Sequence, residues 1–69
     1  MIVLKITMVE GRSHDQKSRL ILRLTHAAAQ HFEREIDQVR VLITEIPKAN
    51  WGIGGISMAE REGGQHAAD

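Results

Sequence analysis

The sequence contains no cysteine, so neither a disulfide nor a thiolate metal site can hold its 69 residues together. Aromatic side chains are scarce as well, with one tryptophan, one phenylalanine and no tyrosine. A domain of this length has a small core and is marginal alone, and a disulfide, a metal or oligomerisation is the usual remedy. Because 42% of the residues are nevertheless hydrophobic, we expect the chain to be stabilised by oligomerisation.

Net charge is also absent, with nine basic and nine acidic residues. Nucleic-acid binding normally requires a basic patch or stripe. Four basic residues follow the first apolar segment: Arg12, Lys17, Arg19 and Arg23. Asp15 interrupts them and no aromatic stacking residue accompanies them. We therefore interpret this group as a solvated helix face and predict no nucleic-acid partner.

Long apolar runs are missing too, since no segment approaches the roughly 18 residues of a transmembrane helix. The apolar opening, residues 1–9, is short and contains Lys5. It has neither a basic leader nor a small-residue cleavage site. We interpret it as a strand, and we expect a cytoplasmic protein with no membrane partner.

The four histidines do not have the spacing of a metal site. Ligand pairs on a helix are three or four positions apart, whereas His26 and His31 are five apart. His14 lies at the predicted start of the helix and His66 near the end of the sequence. We interpret all four as surface residues and predict no metal.

Two apolar segments flank one amphipathic segment. Residues 2–9 alternate apolar and mixed positions, which predicts a strand, and residues 39–46 predict a second strand that ends before Pro47. A helix is predicted between them, from about residue 14 to 32, behind a capping box of Ser13 and Gln16. This order favours parallel strands joined by a right-handed crossover. Because two strands alone are not stable, it also favours oligomerisation.

The remaining segments complete a small α/β (α+β) domain. The predicted core stripe of the helix consists of Leu20, Leu24, Ala27, Ala28 and Phe32, widened by Ile21. Residues 33–38 are interpreted as a polar connection, and the turn-rich residues 49–56 as a short C-terminal hairpin. Residues 57–61 fit a further short strand or a helical turn. We predict one domain over residues 1–61 and a disordered tail over residues 62–69.

Two arginines and the tryptophan are the candidate site residues. Arg12 immediately precedes the predicted helix, and Arg40 opens the second strand between apolar neighbours. From the residues alone, a structural salt bridge is the simpler role for each. Two guanidiniums at one pocket would instead clamp a dicarboxylate, because each can bind a carboxylate with two hydrogen bonds. Trp51 fits either a subunit contact or the wall of an apolar pocket.

Four segments together resemble the 4-oxalocrotonate tautomerase family in order and spacing. They are residues 9–13 (VEGRS), 16–17 (QK), 39–45 (VRVLITE) and 51–55 (WGIGG). The resemblance covers about residues 2 to 61. It implies β-α-β protomers that pair their sheets, usually in hexamers. It also implies proton shifts on small unsaturated 2-oxo acids such as 2-hydroxymuconate, without a cofactor or metal.

The resemblance also implies roles for individual residues, in a site drawn from more than one subunit. Arg40 would stabilise charge on the 2-oxo group, Arg12 would hold the distal carboxylate, and Trp51 would form the aromatic wall. The base of the family is the amine of an N-terminal proline. Ile2 stands at the position of that proline, and Met1 precedes it.

Because Ile2 stands at the position of the family proline, three hypotheses remain open. We expect Met1 to be retained, which displaces the free amine by one residue, or roughly 3.3–3.6 Å. Candidate bases are the amine of Met1, the amine of Ile2 in a trimmed chain, and Glu10, with Lys5 a poorer candidate. The chain is then a weak tautomerase, a non-catalytic subunit completed by a proline-bearing homologue, or an inactive binder of dicarboxylates. For Glu10, a surface acid or a partner of an arginine is the simpler interpretation.

Overall fold

A parallel pair of strands forms the centre of the fold. The structure, a computed structural model, describes residues 1–63. Strand β1 is Ile2–Val9 and strand β2 is Val39–Ile46. They pair in parallel from Ile2 beside Val39 to Val9 beside Ile46. The predicted strands and their parallel arrangement are confirmed.

Helix α1, His14–Phe32, crosses between the two strands. It begins where the Ser13 hydroxyl accepts a hydrogen bond from the Gln16 amide at 3.1 Å, while the Gln16 side-chain oxygen accepts one from the Ser13 amide at 3.0 Å. This is the predicted capping box, which satisfies two free amides at the start of the helix. The helix ends at Glu33, whose φ of 54° is left-handed and whose amide contacts the carbonyls of Ala29 and Gln30.

The core between α1 and the strands is small. Its buried residues are Ala28, Ala29 and Val39, and the half-buried side chains packed against them are Ile2, Leu4 and Val41. The predicted core stripe was partly wrong, because Phe32 is 56% exposed and Ile21 is 39% exposed. Ala29 is buried in their place, because the helix faces the strands along its small residues near the C-terminal end.

One face of the β1–β2 pair has no cover in the single chain. Side chains alternate between the two faces of a strand, and Val3, Lys5, Arg40 and Leu42 lie on the side away from α1, all exposed. Val3 is 46% and Leu42 50% exposed. Such an exposed apolar area is typical of a subunit surface.

The segments after each main element differ slightly from the sequence prediction. A 3₁₀ turn, Ile36–Gln38, occupies the end of the predicted polar connection. After Pro47, a second 3₁₀ turn, Lys48–Asn50, leads into the predicted hairpin of β3 (Gly52–Ile53) and β4 (Ile56–Ser57). Gly54 and Gly55 form its turn with φ of 62° and 90°, values that glycine adopts without strain.

Helix α2, Met58–Gly63, follows the hairpin and runs two residues past the predicted boundary at residue 61. The Ser57 hydroxyl accepts from the Glu60 amide at 3.1 Å, and the Glu60 carboxylate accepts from the Ser57 amide at 3.0 Å. This capping box starts a helix that includes Glu62, which we had placed in the tail. The rest of the predicted tail, residues 64–69, lies outside the described residues. Within residues 1–63, no helix is long and apolar enough to cross a bilayer.

Candidate functional site

The two candidate arginines lie at opposite ends of the β1–β2 pair. Arg40 stands beside Val3 in the strand register. Arg12 follows the other end of β1, where Val9 pairs with Ile46. Val3 and Val9 are six positions apart, which at about 3.3 Å per residue is roughly 20 Å. One chain alone therefore does not bring the two guanidiniums to one ligand.

The Arg40 end also holds Met1 and Ile2, the residues expected near the base. The Arg40 guanidinium donates to the backbone carbonyl of Asp37 at 2.5 Å and, more weakly, to that of Val39 at 3.5 Å. Because carbonyls are neutral, these contacts orient the guanidinium without pairing it with an acid. Ile2 turns its side chain into the core, whereas Met1 is 78% exposed.

At the other end, Arg12 lines two adjoining clefts, one between β1 and α1 and the other between the end of β1 and α2. Gly11 makes the turn into the helix with a φ of 127°, a conformation that favours glycine. The narrower cleft, about 170 Å³, is lined by Met8, Arg12, Gln16, Lys17 and Leu20. The wider cleft, about 380 Å³, is lined by Met8, Val9, Glu10, Gly11, Arg12, Lys48, Met58 and Glu62. The volume of the wider cleft falls within the range of small-ligand pockets.

Two ion pairs lie around Arg12, and neither of them includes Arg12. The Lys17 ammonium contacts the Glu45 carboxylate at 2.7 Å, and the Lys48 ammonium contacts Glu62 at 2.7 Å. Arg12 has no hydrogen bond or ion pair with any residue in the part of the chain that the structure describes. Its guanidinium can therefore receive an anion without first giving up a carboxylate.

Glu10 lies in the wider cleft but does not pair with Arg12. Its carboxylate accepts a hydrogen bond from the backbone amide of Lys48 at 3.3 Å, and its own amide donates to the Ile46 carbonyl at 2.9 Å. These contacts fasten Glu10 between the ends of the two strands. Glu10 is thus an exposed acid, one of its two simpler interpretations, and it has no ion pair with an arginine within residues 1–63.

Backbone hydrogen bonds place Trp51 at the Arg12 end of the β1–β2 pair. Its amide donates to the Lys48 carbonyl at 3.3 Å, and its carbonyl accepts from the Met58 amide at 2.7 Å. Met58 lines the wider cleft beside Arg12. The half-buried Trp51 side chain does not line either cleft in the single chain.

Sequence reasoning did not identify several lining residues of these clefts. Lys48 and Met58 come from segments far along the chain, and no local pattern associates them with Arg12. Gln16 was interpreted as a capping residue and as part of the family resemblance but not as a lining residue, although it lines the narrower cleft. Among residues 1–63, no three histidine or acidic side chains are grouped as metal ligands would be. His66 lies outside that range.

Residues 3–61 match the family model described as "Tautomerase enzyme". The chain belongs to the tautomerase family. Two curated members are 2-hydroxymuconate tautomerases: that of Pseudomonas sp. (strain CF600) is 42% identical over 55 residues, covering 80% of this chain and 87% of the relative. That of Comamonas testosteroni is 43% identical over 56 residues, covering 81% and 89%.

Solved tautomerase structures share the fold. A chain of the heterohexameric 4-oxalocrotonate tautomerase from Chloroflexus aurantiacus J-10-fl superposes with a TM-score of 0.79 at 50% identity, covering 87% of this chain and 97% of that one. Family membership and the tautomerase fold, both inferred from the sequence, are thereby confirmed. Tautomerases of this kind also include assemblies of unlike subunits.

Proposed function

We propose that this chain is a tautomerase subunit that binds a small unsaturated 2-oxo acid between Arg12 of one subunit and Arg40 of another. The observation that carries the proposal is the pair of uncompensated guanidiniums at opposite ends of one strand pair. Neither has a carboxylate partner among the described residues. A second subunit is what would bring them to a common ligand.

The chemistry in this proposal needs proton transfer and charge stabilisation only. Converting a dienol such as 2-hydroxymuconate into its keto isomer moves one proton from the hydroxyl group to a carbon atom. Arg40 would stabilise the negative charge that develops on the 2-oxo oxygen, a contribution that is often large in enzymes. Arg12 would bind the distal carboxylate, and Trp51 would form the aromatic wall of the ligand pocket. No cofactor is required, and we place the protein in the cytoplasm.

The position and identity of the base limit the rate of the proposed reaction. If Met1 is retained, the amine lies one residue from the position of the family proline, and misplacement by about 1 Å can cost about a hundredfold in rate. If Met1 is removed, Ile2 offers a primary amine without the fixed φ of proline. Glu10 is the other candidate, since its carboxylate lies in the cleft with Arg12. We therefore propose weak keto–enol tautomerisation.

A second proposal is a non-catalytic subunit completed by a proline-bearing homologue. It is supported by Ile2 at the position of the proline and by the 50% identity to a chain of a heterohexamer. In this proposal the partner subunit supplies the amine. This chain contributes its arginines to the site or contributes only to subunit packing. A homo-oligomer that only binds dicarboxylates is the remaining alternative.

The first test is a spectrophotometric ketonisation assay with 2-hydroxymuconate. It compares the purified natural chain with an Ile2→Pro variant from which Met1 has been removed. We expect the variant to be about a hundredfold faster, because its amine is correctly placed and its φ is fixed. Calorimetric titration with a dicarboxylate measures the arginine site separately. Absence of both turnover and carboxylate binding in both proteins would refute the proposal.

If the natural chain is inactive while the variant is active, the outcome favours the non-catalytic subunit. Co-purification from the native cell then identifies a proline-bearing partner. If the two proteins are equally active, the amine is not the base. Glu10→Gln is the next variant, and loss of turnover in it would assign the base to that carboxylate.

A further inference from the structure

We propose that the loop after α1 of one subunit docks into a groove on α1 of a second copy of this chain. The acidic loop is residues 33–37, with Ile36 at its tip. The basic groove is the cleft bounded by Gln16, Arg19, Leu20 and Arg23. The docking itself does not depend on the proposed function; its consequence for the ligand site rests on that function.

The basic groove combines an apolar floor with uncompensated charge. It is an open groove of about 320 Å³ along α1, and Leu20 is its half-buried apolar residue. Arg19 is paired with Asp15 at 2.5 Å. Arg23 has no hydrogen bond or ion pair with any residue within 1–63. A docking segment should therefore present an apolar side chain flanked by carboxylates.

The acidic loop has this composition. Ile36 is 53% exposed, although isoleucine is among the residues most often buried. Three carboxylates surround it, on Glu33, Glu35 and Asp37, against the single cation of Arg34. None of the three carboxylates has a partner among the described residues. The charge of the acidic loop is thus complementary to that of the basic groove, and such complementarity steers association and fixes the register of an interface.

The acidic loop is held in place within its own chain. Its backbone bonds run from the Arg34 amide to the Ala29 carbonyl and from the Gln38 amide to the Glu35 carbonyl, both at 2.9 Å. The Arg40 guanidinium donates to the Asp37 carbonyl. Docking would then cost little ordering entropy, because a prearranged segment loses less freedom on binding.

Docking has a direct consequence for the ligand site. The basic groove shares Gln16 and Leu20 with the narrower cleft that Arg12 lines, so the two are continuous. A neighbour's Asp37 in the groove would carry Arg40, which is bonded to it, toward Arg12. The contact would close the gap of roughly 20 Å that separates the two arginines in one chain.

Charge reversal tests the docking without any ligand. Sedimentation velocity over a concentration series would compare the natural chain, Arg23→Glu, Glu35→Arg and the double variant. We expect each single variant to weaken assembly about tenfold or more, because like charges then face each other. The double variant should recover most of the loss. Arg61→Glu, the same charge change on exposed α2, is the matched control and should assemble normally.

Three outcomes would overturn the proposal. They are unchanged assembly in Arg23→Glu, no recovery in the double variant while circular dichroism shows an intact helix, and a natural chain that is monomeric at every concentration. The last would show that the groove does not bind a second copy of this chain. If charge rescue succeeds but neither turnover nor carboxylate binding occurs, the proposed function fails and the docking stands. If turnover occurs while Arg23→Glu assembles normally, the docking fails alone.

Discussion

At the Arg12 end of the β1–β2 pair a single chain builds enclosed clefts, whereas at the Arg40 end it leaves an open surface. The Arg12 end has a glycine turn, a capped helix and two ion pairs, Lys17–Glu45 and Lys48–Glu62, around the guanidinium. The Arg40 end has one guanidinium bonded to carbonyls and a 78% exposed Met1. In the proposed site, a neighbouring subunit would complete what the single chain leaves open at the Arg40 end.

The two arginines also differ in how they are prepared for a ligand. Arg40 is oriented by two carbonyls, so little side-chain freedom is lost when it meets a ligand oxygen. Arg12 has no described partner and must be ordered by the ligand itself. This difference suits Arg40 to stabilise charge at a reacting atom, which requires a fixed donor. It suits Arg12 to capture a carboxylate, where bidentate binding supplies the ordering.

Arg40→Ala should produce the largest effect, if the oriented guanidinium acts on the reacting oxygen. We expect kcat/KM for 2-hydroxymuconate ketonisation to fall about 10²- to 10³-fold, mostly through kcat. The assay would use the natural chain, or the Ile2→Pro protein if that alone is active. Arg40→Lys should recover only part of the rate, because an ammonium lacks the planar fork. An unchanged rate in Arg40→Ala would remove Arg40 from the site.

Arg12→Ala should have a smaller effect and a different kinetic form. We expect KM for 2-hydroxymuconate to rise about 10- to 100-fold while kcat changes less, because the distal carboxylate contributes binding rather than charge stabilisation. The matched control is a substrate without that carboxylate, on which Arg12→Ala should have almost no effect. Equal losses of activity on both substrates would contradict the role assigned to Arg12. They would also mean that Arg12 and Arg40 do not differ in function as proposed.

The local features of this fold were predictable from sequence because their causes are local. Ser13 and Gln16 are close in sequence, and their capping box marks the start of α1. Alternation in the two apolar segments marks both strands. The position of Ala29 in the core in place of Phe32 was not predictable, because it depends on how the helix rolls against the strands. A periodic pattern alone does not fix that angle.

The candidate site was predictable only in part, because it depends on contacts between distant segments. Arg12 and Arg40 could be singled out from their positions beside a helix start and a strand start. The two arginines lie at opposite ends of the strand pair because the strands are parallel, an arrangement that the sequence also predicted. That Lys48 pairs with Glu62 and lines the cleft of Arg12 follows from the path of the chain after Pro47, which no local pattern specifies.

The smallest predicted effect is on stability and concerns the contacts that hold the Arg12 end of the chain in place. Ser13→Ala removes the hydroxyl that accepts from the Gln16 amide, and Gln16 lines the cleft beside Arg12. We expect it to lower the free energy of unfolding by about 1 kcal/mol per protomer. Lys48→Met, which removes the ion pair with Glu62 at the same end, should cost at most about 0.5 kcal/mol, because both side chains are largely exposed. Urea unfolding at one fixed protomer concentration measures both, since assembly couples stability to concentration. If Lys48→Met were the more costly change, ion pairing rather than helix capping would hold this end of the chain together.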